Sequence, residues 1–140
     1  DDEREAARSR EYNGSYRIFA SDIDPRAVEI SRANAKRAGV EGLIDFSVAD
    51  AREFSRATER GVIVTNPPYG ERLMEKREAE RLYTDFGKAF SRVKGWELCL
   101  LSSHTEFERC FGALAGKRRR LYNGMIRCEL YIYKNGGSRR

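Results

Sequence analysis

The chain has 140 residues, 40% of them hydrophobic and 35% charged, with only 3 prolines, which is the composition of one globular domain and excludes a disordered or collagen-like segment. No stretch approaches the roughly 18 uninterrupted apolar residues of a membrane-spanning helix, and the acidic start Asp1-Asp2-Glu3 is the opposite of a secretory leader, so a cytoplasmic protein with no membrane partner is expected. The net charge of +5 is uneven, because residues 91–140 carry 11 basic against 4 acidic side chains while residues 1–90 carry 16 against 18.

Of the 27 basic residues, 21 are arginine, the side chain suited to phosphate forks and base stacking. A nucleic-acid partner fits that excess, and so does an ordinary arginine-rich surface. The 3 cysteines, Cys99, Cys110 and Cys128, form no C-x-x-C pair, so neither a disulfide framework nor a metal site is expected, and apolar neighbours around Cys99 and Cys110 favour core packing.

Residues 1–12 are short, highly charged and helix-like. Arg17 to Asp22 reads as a strand ending in acid; Asp24 then supplies an N-cap, Pro25 a first-turn proline, and Arg26 to Ala38 a helix that Gly39 stops. Leu43 to Val48 alternates through Ile44, Phe46 and Val48, a second strand that runs on to Asp50. Gly61-Val62-Ile63-Val64-Thr65 is a continuous apolar run, as in a strand buried on both faces, and it ends in Asn66-Pro67-Pro68-Tyr69-Gly70. Between Glu75 and Lys94, Leu82, Phe86, Ala89, Phe90 and Val93 recur at helical spacing.

Trp96 to Leu101 is another buried strand, and Thr105 with Glu108 makes a capping box for a helix with the inner face Phe107, Cys110, Phe111 and Leu114. Arg118 to Tyr122 and Met125 to Tyr133 are strand-like and separated only by Asn123-Gly124, a strong hairpin signal, so the last two strands are expected to be antiparallel neighbours. Strand-helix alternation before them implies parallel crossovers. The expected architecture is a doubly wound α/β sheet finished by one hairpin, with residues 1–135 in one catalytic-type domain and 136–140 a flexible tail.

Asn66-Pro67-Pro68-Tyr69 carries the sharpest chemistry, because ligands of open α/β sheets bind at the carboxyl ends of strands. An exocyclic amine of a nucleobase is a poor nucleophile, since its lone pair is delocalised into the ring. If the Asn66 side-chain oxygen and the Pro67 carbonyl each accept one N–H, they favour a pyramidal nitrogen whose lone pair is free to attack a sulfonium methyl. Proline keeps the carbonyl acceptor and adds no competing donor. Tyr69 can stack on a flipped base, a contact of about 1–3 kcal/mol. A rigid turn, or a proline-rich ligand for an aromatic groove, uses the same residue types, but the buried strand just upstream argues against the second.

Asp22 ends the first strand, where a carboxylate can accept both ribose hydroxyls of a nucleotide cofactor, and Ile23 could cover one adenine face. Asp24 is explained as the helix cap. Asp50, with Ala51 beside it, is placed to accept an adenine amino group. The lone His104 reads as a cap or surface group. Arg72, after Glu71 in the proline loop, and the run Lys117-Arg118-Arg119-Arg120 are candidate phosphate contacts; a solvated loop pair explains the first as well, and a solvated edge strand is the alternative for the run.

The antiparallel ending resembles the sheet of class I S-adenosylmethionine-dependent methyltransferases. Those folds open with a strand and a glycine-rich turn toward the cofactor, and no G-x-G pattern precedes Arg17. The chain is therefore expected to be the C-terminal portion of a longer protein, insoluble or loosely folded when expressed alone. Ser21-Asp22-Ile23-Asp24-Pro25, Asn66-Pro67-Pro68-Tyr69-Gly70-Glu71-Arg72-Leu73 and Leu121-Tyr122-Asn123-Gly124-Met125-Ile126-Arg127-Cys128-Glu129-Leu130 together resemble the THUMP-associated RNA guanine-N2 methyltransferases, a group also labelled N6-adenine-specific DNA methylases. That resemblance implies S-adenosylmethionine as cofactor, with Asp22 on its ribose and Asp50 on its adenine. It implies methylation of guanine N2 in 23S ribosomal RNA, with Asn66, Pro67 and Tyr69 at the target base, and an upstream THUMP-type RNA-binding domain with no counterpart in these residues. N6-adenine methylation of DNA and a non-catalytic RNA-binding remnant are the alternatives.

Overall fold

Among the described residues, four α-helices and six strands fall into two compact units, Asp1–Val48 and Ala49–Arg140, in a computed structural model. The structure describes residues 2–9, 17–56, 58–70 and 73–136, with the backbone alone for Arg8, Leu73 and Met74. Glu71, Arg72 and residues 137–140 of the expected tail lie outside the described residues.

In the first unit, helix α1 (Asp2–Arg8) precedes strand β1 (Ile18–Asp22), helix α2 (Pro25–Ala38) and strand β2 (Ile44–Val48). The ends of α2 are those expected from its sequence. The Asp24 carboxylate accepts from the Arg26 amide at 2.9 Å, and Gly39 closes the helix at φ +76°, returning its N–H to the Ala35 and Lys36 carbonyls. The crossover sets β1 and β2 parallel, from Ile18 opposite Ile44 to Asp22 opposite Val48. Little of this unit is buried beyond Val28 and Ala35, while Ile18, Phe19, Ile23 and Val48 are exposed.

The second unit is a four-stranded sheet in the order β3-β4-β6-β5, made of β3 (Gly61–Thr65), β4 (Trp96–Ser102), β5 (Lys117–Asn123) and β6 (Ile126–Lys134). Helix α3 (Leu73–Ser91) is the crossover that makes β3 and β4 parallel. The short helix α4 (Phe107–Phe111) leads into the hairpin, whose strand β6 runs antiparallel to β4. One face of the sheet holds the core: Leu98 and Leu100 of β4, Tyr131 and Tyr133 of β6, Tyr83, Phe86 and Phe90 of α3, and Phe107 and Phe111 of α4. Each such side chain contributes about 1.5–3 kcal/mol on burial. The helices meet closely, and a Cβ on Gly87 would lie 2.1 Å from the Phe111 carbonyl oxygen.

Several details differ from the sequence reading. The strand Gly61–Thr65 is not buried on both faces: Val62 is 57% and Val64 80% exposed. On α3 the buried stripe is Ala79, Tyr83, Phe86, Ala89 and Phe90, so Ala79 and Tyr83 join the expected residues while Leu82 is only half-buried at its margin. The Thr105 and Glu108 capping box does not form; Glu106 caps α4 without a side-chain bond, and the Glu108 carboxylate accepts from the Ala115 amide at 2.7 Å instead. Leu114 lies past the Gly112 stop and is 83% exposed, outside the core. In the hairpin the two loop residues are Gly124 and Met125, one later than expected, and Asn123 is the last residue of β5, opposite Ile126. Only Gly124 of that loop has positive φ, at +63°, the pattern of a type II′ turn; type I′ needs it at both loop positions.

Candidate active site

Pro67 and Pro68 have no N–H to give a neighbouring strand, so the ladder of β3 stops at Thr65 and the chain leaves the sheet as a loop. At its far end Gly70 adopts φ +72°, and a Cβ there would come within 2.6 Å of the Lys76 Cα, so only glycine lets the loop pass this close to α3.

Within the loop, the Tyr69 hydroxyl donates to Asn66 Oδ1 at 2.6 Å and accepts from Asn123 Nδ2 at 3.1 Å. Burial raises the Tyr69 phenol above its ordinary value, with Asn123 and Asn66 pulling the other way, so the hydroxyl keeps its proton at neutral pH. The Pro68 carbonyl is gripped from below: Tyr83, fully buried on α3, donates to it at 2.5 Å and sits 3.0 Å from Ser102 Oγ at the end of β4. Ser102 Oγ in turn accepts from the His104 amide at 3.1 Å. Burial likewise raises the Tyr83 phenol, which stays a donor. The Pro67 carbonyl takes no hydrogen bond among the described residues, and Asn66 is exposed. One lone pair of Asn66 Oδ1 and the Pro67 carbonyl therefore remain open as neutral acceptors on adjacent residues.

The other expected site residues have these settings. Asp22 is exposed; its Oδ1 accepts from the Asp24 amide at 2.9 Å, which leaves Oδ2 open. Ile23, next in sequence, is 62% exposed. Asp50 caps the short 3-10 turn that begins at Ala51, accepting from the Arg52 amide at 2.9 Å. The Arg52 guanidinium spans both Asp50 oxygens, Nε at 3.0 Å and the terminal nitrogen at 2.6 Å, and holds the carboxyl below its ordinary range. Three Arg52 donors thus crowd the carboxylate, the single Nε hydrogen being shared between its two oxygens. Arg118 is tied down, donating to Glu108 at 3.2 Å and lying over the Tyr131 ring, whereas Arg119 and Arg120 are exposed and make no ion pair with described residues.

His104 is buried and acts as a cap, its Nδ1 accepting from the Glu106 amide at 3.0 Å. The ring proton therefore sits on Nε2, in the 2.8 Å bond to Glu80. Cys110 is the third member of this group, whose ligand-type atoms all lie within 4.8 Å of one another. A groove of about 780 Å³ between α3 and α4, lined among others by Arg77, Arg81, Lys88 and Arg109, includes none of residues 66–69.

Three residues that build the site were missed from sequence. Tyr83 reaches Pro68, and Ser102 reaches Tyr83, only through tertiary packing, across 15 and 19 positions. Asn123 was read as a turn residue, and its contact with Tyr69 spans 54 positions.

Comparison with known proteins adds the lineage. Residues 2–132 match the family model described as RMKL-like, methyltransferase domain. The chain is 44% identical over 122 residues to the "Putative RNA methyltransferase YpsC" of Bacillus subtilis, covering 87% of this chain and 32% of that protein. It is 41% identical over 121 residues to the "Ribosomal RNA large subunit methyltransferase K/L" of Psychromonas ingrahamii, covering 84% and 16%. A crystal structure described as "SMU.472, a putative methyltransferase complexed with SAH" superimposes with a TM-score of 0.87 at 34% identity, covering 97% of this chain and 36% of that one. The chain therefore spans a third or less of the curated relatives it matches, and its fold is the Rossmann-like methyltransferase fold.

Proposed function

The chain belongs to the family of RMKL-like methyltransferase domains, and from that premise we propose that it carries the target-base site of an S-adenosylmethionine-dependent methyltransferase acting on an exocyclic amine, guanine N2 of 23S ribosomal RNA. The observation that carries this reading is the pair of open neutral acceptors, Asn66 Oδ1 and the Pro67 carbonyl, held on a loop at the carboxyl end of a parallel strand. Relatives are named as RNA and ribosomal RNA methyltransferases, and a structural neighbour is named as holding S-adenosylhomocysteine. These names support the substrate and cofactor.

Asn66 and Pro67 each accept one N–H of the amine. Two acceptors on adjacent residues pull the hydrogens to one side, so the nitrogen becomes pyramidal and its lone pair leaves conjugation with the ring. Nitrogen gains positive charge as it is alkylated, and both carbonyl dipoles point their negative ends at it. Pro68 serves as the anchor, since its carbonyl is bound to Tyr83, and the Tyr69 ring supplies a stacking surface. S-adenosylmethionine, when bound, supplies a methyl group on a cationic sulfur.

For that cofactor we assign Asp22, with one oxygen open, to the ribose and the exposed Ile23 to an adenine face. Asp50 and Ala51 are assigned to the adenine amino group, which requires the Arg52 guanidinium to swing off the carboxylate while the Arg52 amide stays. Arg119 and Arg120, with Arg72, are assigned to RNA phosphates; Arg118 joins them only if it leaves Glu108. We also propose that the whole protein acts in the cytoplasm and carries a THUMP-type RNA-binding domain.

Mass spectrometry of nucleosides after incubating the complete protein with ribosomal RNA and, separately, with DNA tests the reading. N2-methylguanosine in RNA is the expected product. N6-methyladenine in DNA alone would overturn the substrate, and no methylated nucleoside in either would leave a non-catalytic RNA-binding module.

A further inference from the structure

We propose that Asn123, on the hairpin, is a positioning residue that acts on Asn66 through the Tyr69 hydroxyl and fixes which atom of the Asn66 amide faces the target amine. The inference rests on the function proposed above and deepens it. An amide side chain has an oxygen on one side and an NH2 group on the other. Only the oxygen can accept an amine N–H; a flipped Asn66 would present two donors to a donor. Some neighbour has to choose between them, and a tyrosine hydroxyl alone does not, because it donates or accepts equally well.

Asn123 removes that freedom by the way its own amide is turned, with Nδ2 and not Oδ1 toward the Tyr69 oxygen. Its Nδ2 can only donate, and it meets the Tyr69 oxygen at 3.1 Å. The hydroxyl's single proton then turns to its other neighbour, 2.6 Å away, and that atom has to be the acceptor Oδ1 of Asn66. The order Nδ2, hydroxyl, Oδ1 is a one-way relay that leaves the second lone pair of Oδ1 for the substrate. Strand register makes this geometry available. Because Asn123 ends β5 and does not sit in the turn, its side chain lies on the same sheet face as Leu121, whose partner across the hairpin is the buried Cys128. A hairpin with Asn123 in its loop would not hold the residue in strand phase.

The test reverses the relay without changing shape. In Asn123→Asp the carboxylate can only accept, so it captures the hydroxyl proton, and the Tyr69 oxygen then attracts the Asn66 NH2. In Asn123→Ala the hydroxyl is merely released. Methyl transfer by the complete protein to ribosomal RNA is expected to fall in kcat by about tenfold for Asn123→Asp and less for Asn123→Ala, the scale of one misdirected hydrogen bond, with KM for RNA little changed. In a Tyr69→Phe background, which keeps the ring, neither substitution has any further effect. Losses that persist in that background, as a structural role in the hairpin would give, or an Asn123→Asp variant with wild-type kcat, overturn the proposal. An independent arm follows the Asn66 side-chain amide by nitrogen-15 NMR. One of its protons is expected to move downfield in Asn123→Asp and not in Asn123→Asp with Tyr69→Phe, and its absence there overturns the relay. If the wild-type protein methylates nothing, the function has failed, and the NMR arm still decides the relay.

Discussion

Residues 2–48 and residues 49–140 both carry expected site residues, and they hold them by opposite means. In the first region Asp22 and Asp24 are fixed by amides two residues further on, and only Val28 and Ala35 of the 16 buried hydrophobic residues among those described lie there. In the second, Pro68 is fixed by Tyr83, 15 residues away, and Tyr69 by Asn123, 54 residues away, over an aromatic core. The difference matches what each kind of contact demands. A charged carboxylate attracts hydroxyls over a range of angles, and a local turn places it well enough. Two neutral acceptors that must converge on one nitrogen need orientation, and only long-range packing supplies that.

The largest effect that would break this comparison is at Asn66. Asn66→Ala removes one of two converging acceptors, and methyl transfer by the complete protein is expected to fall roughly a hundredfold or more, with cofactor affinity much less affected. Steady-state kinetics beside calorimetric titration of the cofactor separates the two. Near-wild-type turnover would mean that the orientation of Asn66 is immaterial.

Hydrogen exchange on the complete protein, followed at the peptides that cover these residues, probes the two regions directly. Amides of β1 and β2 are expected to exchange on the order of a hundred times faster than those of β4 and β6, since local stability follows buried apolar contact. Equal protection would make the chain one cooperative unit and remove the basis of the contrast.

Tyr83→Phe tests the long-range anchor by itself. The ring contacts with Phe107 and His104 survive, and the bonds to the Pro68 carbonyl and Ser102 are lost. Leaving that carbonyl unpaired is expected to lower stability by about 1–3 kcal/mol and kcat by about tenfold. Denaturant titration and kinetics together check it; lost stability with unchanged kcat would show that the anchor supports the fold and not the acceptors.

Local signals were legible from sequence and long-range ones were not. The bounds of β3 and the caps of α2 follow from chemistry within a few residues, such as Gly39 with its positive φ and the carboxylate of Asp24. Asn66-Pro67-Pro68-Tyr69 was legible as a candidate because prolines end a strand wherever they occur. Tyr83 was passed over because helical spacing admits it and Leu82 alike, and only the packing of α3 decides which is buried. Asn123-Gly124 carried a strong turn signal, but the ladder of β5 with β6 extends one residue further and carries Asn123 into the sheet. The exposure of Val62 and Val64 was hidden for a related reason: an apolar run states what a strand could bury, not what covers it.

The smallest effect sharpens the comparison at its boundary, where Asp50 is held locally, like Asp22, though it belongs to the second region. Arg52 depresses the Asp50 pKa, mainly through the side-chain bond, so the pair stabilises the fold above the unfolded carboxyl's pKa, and that stability is lost as pH falls through the lower folded value. The pair is at the surface, with Arg52 48% and Asp50 19% exposed, and Arg52→Ala is expected to shift the melting midpoint by no more than about 2 °C at neutral pH, with the difference vanishing in acid. The informative readout is the cofactor. The Arg52 side chain competes for the carboxylate assigned to the adenine amino group, so in the complete protein Arg52→Ala is expected to leave S-adenosylmethionine affinity unchanged or tighten it, whereas Asp50→Ala weakens it. If both variants weaken binding equally, the guanidinium and not the carboxylate meets the cofactor, and the assignment passes from Asp50 to Arg52.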